Sequence, residues 1–215
     1  MKKLVFIICA TLLVLGIGVS GNAEMLYSSG GSYNTTNAID ATAFVAAGHF
    51  TLASNSTVTG VEGVFGEQIW NHTDLQWWIY NNNSGFPATQ LASGTGSNIA
   101  TVSLGTQSPW RISDITFDLG TSVSLAASTP YWLALHFGPA STFNDGEQYV
   151  IWMNNESITG NTARSLHGTE PWVSGTGNTF FSLYGSTTPV PGPATILLLS
   201  PGLMGLAAIR RRLRK

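Results

Sequence analysis

Tyr131-Trp132-Leu133-Ala134-Leu135-His136-Phe137 is the stretch on which the fold class turns. Side chains alternate between the two faces of an extended chain. Tyr131, Leu133, Leu135 and Phe137 therefore share one face, while Trp132, Ala134 and His136 share the other. Both faces carry bulk, so this strand is expected to be central in a sheet and covered on both sides.

Working outward, no segment of the central region shows a sustained 3.6-residue apolar period. Short strand-like runs recur instead, near 43–52, 56–65, 75–81, 98–104, 111–117, 131–137, 149–153 and 179–184. Clusters of Gly, Asn, Ser and Pro separate them, at 81–85, 93–97, 138–146, 154–160 and 174–178. Abundant threonine and aromatic residues agree with strand preference. The expected fold class is all-β, an antiparallel two-sheet sandwich of jelly-roll type.

The termini read differently. Lys2 and Lys3 precede an almost unbroken apolar run from Leu4 to Val19, and Gly21, Asn22 and Ala23 supply a small-residue cleavage site. This is the secretory pattern, with the cut expected after Ala23. A retained membrane anchor is the alternative, since the run approaches spanning length. At the other end, the run from Thr195 to Ile209 is apolar apart from Ser200, Pro201 and glycines. Arg210, Arg211, Arg212, Arg214 and Lys215 follow it. A short span is achievable by tilt or bilayer thinning, and the basic cluster would resist translocation as a cytoplasmic membrane stop. The expected organisation is a signal peptide over 1–23 and a sandwich ectodomain over 24–185. A Ser/Thr/Pro linker over 186–193 and a transmembrane helix with a basic tail over 194–215 complete it.

Pro191, Gly192, Pro193 and Ala194, followed by the short apolar segment and the arginine-rich cluster, resemble the PEP-CTERM sorting signal. Gly192 stands where that signal usually has glutamate. The resemblance covers about the last 27 residues. It implies a Gram-negative bacterium that makes exopolysaccharide, and an exosortase-type membrane protease as processing partner. A second resemblance lies in the ectodomain. Trp78-Ile79-Tyr80, the turn of 81–85, Pro87, Leu91-Ala92-Ser93-Gly94, Phe117 and Pro130-Tyr131-Trp132 look similar to the choice-of-anchor β-sandwich domains. That likeness implies architecture and says almost nothing about chemistry.

Charge narrows the partners. The ectodomain carries two basic residues, Arg111 and Arg164, against 11 acidic ones, a net charge of 2 − 11 = −9, although the whole chain nets −2. Nucleic acid is excluded as an expected partner, because its affinity requires several Lys or Arg at phosphates. The single cysteine, Cys9, lies in the signal segment. A mature chain then has no disulfide, thiol nucleophile or thiolate metal site.

Catalytic patterns are thin. There is no G-x-S-x-G elbow and no H-E-x-x-H. The histidines are His49, His72, His136 and His167. His136, inside the expected strand of 131–137, is expected to be structural. Asp114 with Asp118, and Asp145 with Glu147, are the acid pairs that glycoside hydrolysis would need. Solvated edge and turn acids have the same pattern. The loop Asn144-Asp145-Gly146-Glu147 offers oxygen ligands but lacks the EF-hand spacing. No cofactor, metal or catalytic residue is expected, and five Asn-x-Ser/Thr matches read as chance in an Asn/Thr-rich bacterial chain.

All seven tryptophans lie in the ectodomain. Trp77 and Trp78 are adjacent, so one should enter the core and the other face outward. Alternation groups Asp74, Gln76 and Trp78, which makes Trp78 the expected stacker for a neutral sugar ring. His72 and the Asn81-Asn82-Asn83 turn stand nearby. The expected function is a non-catalytic surface or extracellular-matrix protein associated with exopolysaccharide. A carbohydrate-binding module for neutral polysaccharide, with Trp78, Asp74, Gln76 and His72 as site, is the alternative, followed by a secreted glycoside hydrolase.

Overall fold

The computed structural model describes residues 23–68, 74–138, 150–155, 162–168, 171–175 and 177–187. They form 13 strands: β1 (Glu24–Ser28), β2 (Tyr33–Asp40), β3 (Val45–Thr51), β4 (Ser56–Glu67), β5 (Leu75–Asn83), β6 (Phe86–Thr95), β7 (Ser97–Gln107), β8 (Trp110–Leu125), β9 (Pro130–Phe137), β10 (Val150–Asn155), β11 (Thr162–Ser165), β12 (Val173–Gly175) and β13 (Phe181–Thr187). Each of the eight expected strands has a counterpart. Five elements, β1, β2, β6, β11 and β12, were not anticipated.

The strands make two antiparallel sheets. In the seven-stranded sheet, β4 pairs with β8 along its length on one side. On its other side β4 pairs first with β13 and then with β10, which carry β1 and β2 respectively. β7 pairs with β8 outside this set. The six-stranded sheet runs β12-β11-β3-β9-β5-β6. β9 lies in its interior between β3 and β5, as bulk on both of its faces requires.

An aromatic chain fills the space between the sheets. Phe50 meets Tyr131 at 5.8 Å and Phe181 at 6.1 Å. Phe181 meets Trp152 at 5.6 Å, Trp152 stacks with Phe65 at 5.8 Å, and Phe65 meets Phe137 at 4.9 Å. Tilted and edge contacts of this kind contribute beyond area burial. The Trp152 Nε1–H donates to the Phe180 carbonyl at 3.0 Å, so its burial leaves no polar atom unsatisfied. Leu75, Trp77, Ile79, Leu133, Leu135, Ile115, Phe117 and Leu183 extend the same core.

β5 and β6 are joined by Ser84-Gly85, with φ of 54° and 87°. Two consecutive residues at positive φ define a type I′ turn, whose twist matches that of the flanking strands. Pro87 in β6 lacks an N–H, and β6 is an edge strand where that donor is dispensable. Among the described residues no helix is long and apolar enough to cross a membrane. All but Ala23 of the expected signal segment over 1–23, and the sorting motif, apolar segment and arginine cluster over 188–215, lie outside the described residues.

Candidate functional site

The outer face of the six-stranded sheet carries a second, smaller apolar layer. Alternation along β3, β5 and β9 sends Val45, Ala47, Tyr80, Trp132 and Ala134 away from the inter-sheet core, and Ala163 of β11 joins them. A sheet face with that much bulk needs a cover, and Gly168 and Trp172, which lie between β11 and β12, supply part of one. Gly168, at φ +69°, lies against Val45 and the Tyr80 hydroxyl. The Tyr80 hydroxyl donates to the Gly168 carbonyl at 2.6 Å. Burial pushes the Tyr80 phenol up to about 12, so it stays protonated as a donor. Trp172 then sits edge-on against Tyr80, with ring centroids 5.4 Å apart and planes at 76°. The Trp132 Nε1–H donates to Asn82 Oδ1 at 2.9 Å, which fixes the end of the β5–β6 hairpin. His49 packs edge-on against Trp132 at 5.2 Å, and burial lowers its pKa.

Trp78 and Trp172, both half-buried, flank this layer on the outer face. Trp77 is completely buried in the inter-sheet core. Asp74 is exposed just before β5, and Gln76 is half-buried on the same face as Trp78. The Gln76 amide donates to the Gly138 carbonyl at 3.4 Å. His72 and Trp70 lie outside the described residues.

Beside the hairpin is a pocket of about 240 Å³ lined by Asn83, Phe86, Pro87, Ala88, Pro171 and Trp172. None of these residues is charged. The sequence reading missed Phe86 and Trp172. Only the fold brings them together, one from β6 and the other from just before β12.

The opposite outer face, on the seven-stranded sheet, holds a carboxyl pair. Asp114 and Asp118 were a candidate acid pair in the sequence, with solvated edge acids as the other reading. Asp118 instead accepts from the Asn98 amide at 2.7 Å. Asp114 lies against Glu62 of β4, a diagonal neighbour, since Val64 opposes Asp114 and Glu62 opposes Thr116. Burial, then the hydrogen bond and charge of Glu62, raise the Asp114 carboxyl to about 7. The Tyr184 hydroxyl donates to Glu62 Oε2. A neighbouring negative charge favours the neutral form of the Asp114 carboxyl. Glycoside hydrolysis needs its two carboxyls about 5 Å or more apart, to flank the scissile bond. Asp145 and Glu147 lie outside the described residues. His136 is fully buried in β9, with Nδ1 3.4 Å from the Phe44 carbonyl oxygen, which is a packing position. Among the described residues no group of three or more His, Cys, Asp or Glu is placed to hold a metal ion.

The site and fold together define an all-β antiparallel sandwich with an aromatic outer face. No family model matches the chain. Neither the curated proteins nor the solved structures contain a match. The likeness to PEP-CTERM signals and choice-of-anchor domains therefore rests on the quoted motifs.

Proposed function

We propose that the chain is a non-catalytic, exported cell-surface or matrix protein of a Gram-negative bacterium. It is delivered through a PEP-CTERM-like signal and associates with exopolysaccharide, and its processing partner is an exosortase-type membrane protease. The observation that carries this reading is the order of Pro191, Gly192, Pro193 and Ala194, the apolar run from Thr195 to Ile209, and the arginine cluster from Arg210. Each part has a physical role, respectively recognition, membrane insertion and a charge stop. The geometry next to these segments is compatible with it. β1 begins at Glu24, directly after the expected cleavage site, and pairs with β13. The Thr187 N–H donates to Glu24 Oε1 at 2.9 Å, so both ends of the sandwich emerge side by side. Ser186 and Thr187 are exposed, and Gly185 is the last buried residue before the linker.

Intact mass of the protein recovered from its native host tests this. The expected species starts at Glu24 and lacks the arginine cluster. A mature protein that keeps Met1 and Lys215 would end the sorting reading.

A second reading, a module that binds neutral polysaccharide, is favoured by the two half-buried indoles on one sheet face. Its test is a glycan array in which the wild-type chain binds a neutral polysaccharide.

A further inference from the structure

We infer that the pocket formed by Asn83, Phe86, Pro87, Ala88, Pro171 and Trp172 is a subsite for one neutral pyranose ring, and that Trp78 stacks a second ring of the same chain further along β5. The inference rests on the carbohydrate-binding reading and gives it a location and a ligand class.

Shape and chemistry point the same way. A volume of about 240 Å³ is below the range of drug-sized ligand sites, ~300–1,000 Å³, and suits a single ring. A pyranose presents C–H groups on its faces and hydroxyls around its rim. The pocket presents Trp172 and Phe86 as aromatic walls, two prolines as rigid apolar walls, and the Asn83 carboxamide as donor and acceptor. Phe86 and Asn83 are exposed and within reach of a ligand. A charged ligand would find no counter-ion in this lining, and the −9 ectodomain repels polyanions at long range.

The pocket is also pre-organised. Trp172 rests on Tyr80, Tyr80 is hydrogen-bonded to Gly168, and Asn82 next to Asn83 is hydrogen-bonded to Trp132. The Asn81 side chain accepts from the Thr89 N–H at 2.7 Å, which fixes the start of β6. Rigid walls reduce the ordering entropy that binding must overcome. Trp78 lies four residues before Asn82 on β5, about 13 Å away at ~3.3 Å per residue. Both indoles border the same outer-face layer, so an extended sugar chain running along β5 reaches both.

The test uses the full chain purified in a mild detergent. An array of dextran, levan, mannan, cellulose and xylan fragments, with alginate as acidic control and a polyproline peptide as a different ligand class, is followed by calorimetry with the best binder. Binding to a neutral glycan and not to alginate is expected. Ala88→Trp, which fills the pocket and leaves its framework in place, should weaken a disaccharide and a hexasaccharide alike, by tenfold or more. Asn83→Ala, at an exposed position, should weaken both several-fold. Trp78→Ala should weaken the hexasaccharide and leave the disaccharide unchanged. Wild-type affinity in Ala88→Trp overturns the pocket. If Trp78→Ala then abolishes binding, the carbohydrate reading survives at another place on the same face. Binding of the polyproline peptide alone, or of nothing, retires both.

Discussion

At the residue scale, Tyr80 joins sequence alternation to the candidate site. Its place in β5 sends it to the outer face, opposite Trp77 and Ile79, and its hydroxyl ties down the segment that brings in Trp172. Removing that hydroxyl leaves the Gly168 carbonyl with a lost partner in a buried place. A net hydrogen bond is worth about 1 kcal/mol, and an orphaned buried acceptor somewhat more. Tyr80→Phe is therefore expected to lower global stability by about 1–2 kcal/mol in urea unfolding. Amide exchange around 166–168 should quicken more than in β9, because the loss is local. A stability change below a few tenths of a kcal/mol, with unaltered exchange at 166–168, would show that packing alone holds the cover. The neighbouring pair of indoles teaches a related point. Two-residue periodicity separates Trp77 from Trp78 without any coordinates. It cannot reveal that Trp172, just before β12, packs against Tyr80 of β5, since that contact is made only in the fold.

At the element scale, β6 and β7 are sparsely protected edges among the described strands. Only Gly96 separates them as the chain passes from the edge of one sheet to the edge of the other. No residue from 86 to 107 is charged. Leu91, Val102 and Leu104 are exposed at 47%, 63% and 43%. Edge strands offer unpaired backbone groups to other chains, and proteins usually blunt them with charge, proline or bulges. β7 relies on bulges, at Ser97/Ala100 and Ser103/Gly105. Val102→Lys would add the missing charge directly opposite Asp114. The expected outcome is delayed aggregation in light scattering on heating, with an unchanged or slightly higher midpoint. Faster aggregation would show that the edge is already protected. The same elements mark the limit of sequence reading. β9 and β5 were readable because alternation and bulk coincide. β6 was not, because Phe86-Pro87 and Ser93-Gly94 look like turn chemistry, which an edge strand tolerates. β8 runs to Leu125, past the expected end at 117, because its last residues pair with the start of β4. β1 and β2 have weak local signals, and their strand state comes from pairing with β13 and β10 far along the chain. The carboxyl pair was half visible: Asp114 stood out, but Glu62 is its neighbour only through the β4–β8 register.

At the scale of the whole molecule, two buried or half-buried carboxyls set the direction in which stability changes with pH. Glu67, buried at the end of β4, is raised to about 7 by burial, with Arg111 opposing. Asp114 is raised to about 7 by burial and by Glu62. In the unfolded chain such groups titrate near 4. Between about pH 4 and pH 7 the native state thus holds protons that the unfolded state has released. Stability falls with rising pH wherever the native state binds more protons, so both groups favour the fold at mildly acid pH and lose that contribution by about pH 7. Glu24 and the half-buried His49 act in the opposite sense, since the contact with Thr187 lowers the first pKa and burial lowers the second, but Glu24 is fully exposed and one half-buried imidazole offsets only part of what the two carboxyls contribute. The expected result is a higher unfolding midpoint at pH 5 than at pH 8, by about 2 kcal/mol in free energy after allowance for solvent screening at the half-exposed Asp114. Asp114→Asn and Glu67→Gln should each flatten the slope, because an amide can replace a protonated carboxyl and does not titrate. Urea unfolding at half-unit steps from pH 4.5 to 8 gives the measurement. Stability that climbs toward pH 8, or a slope untouched in both variants, would show that these carboxyls ionise normally in the folded protein.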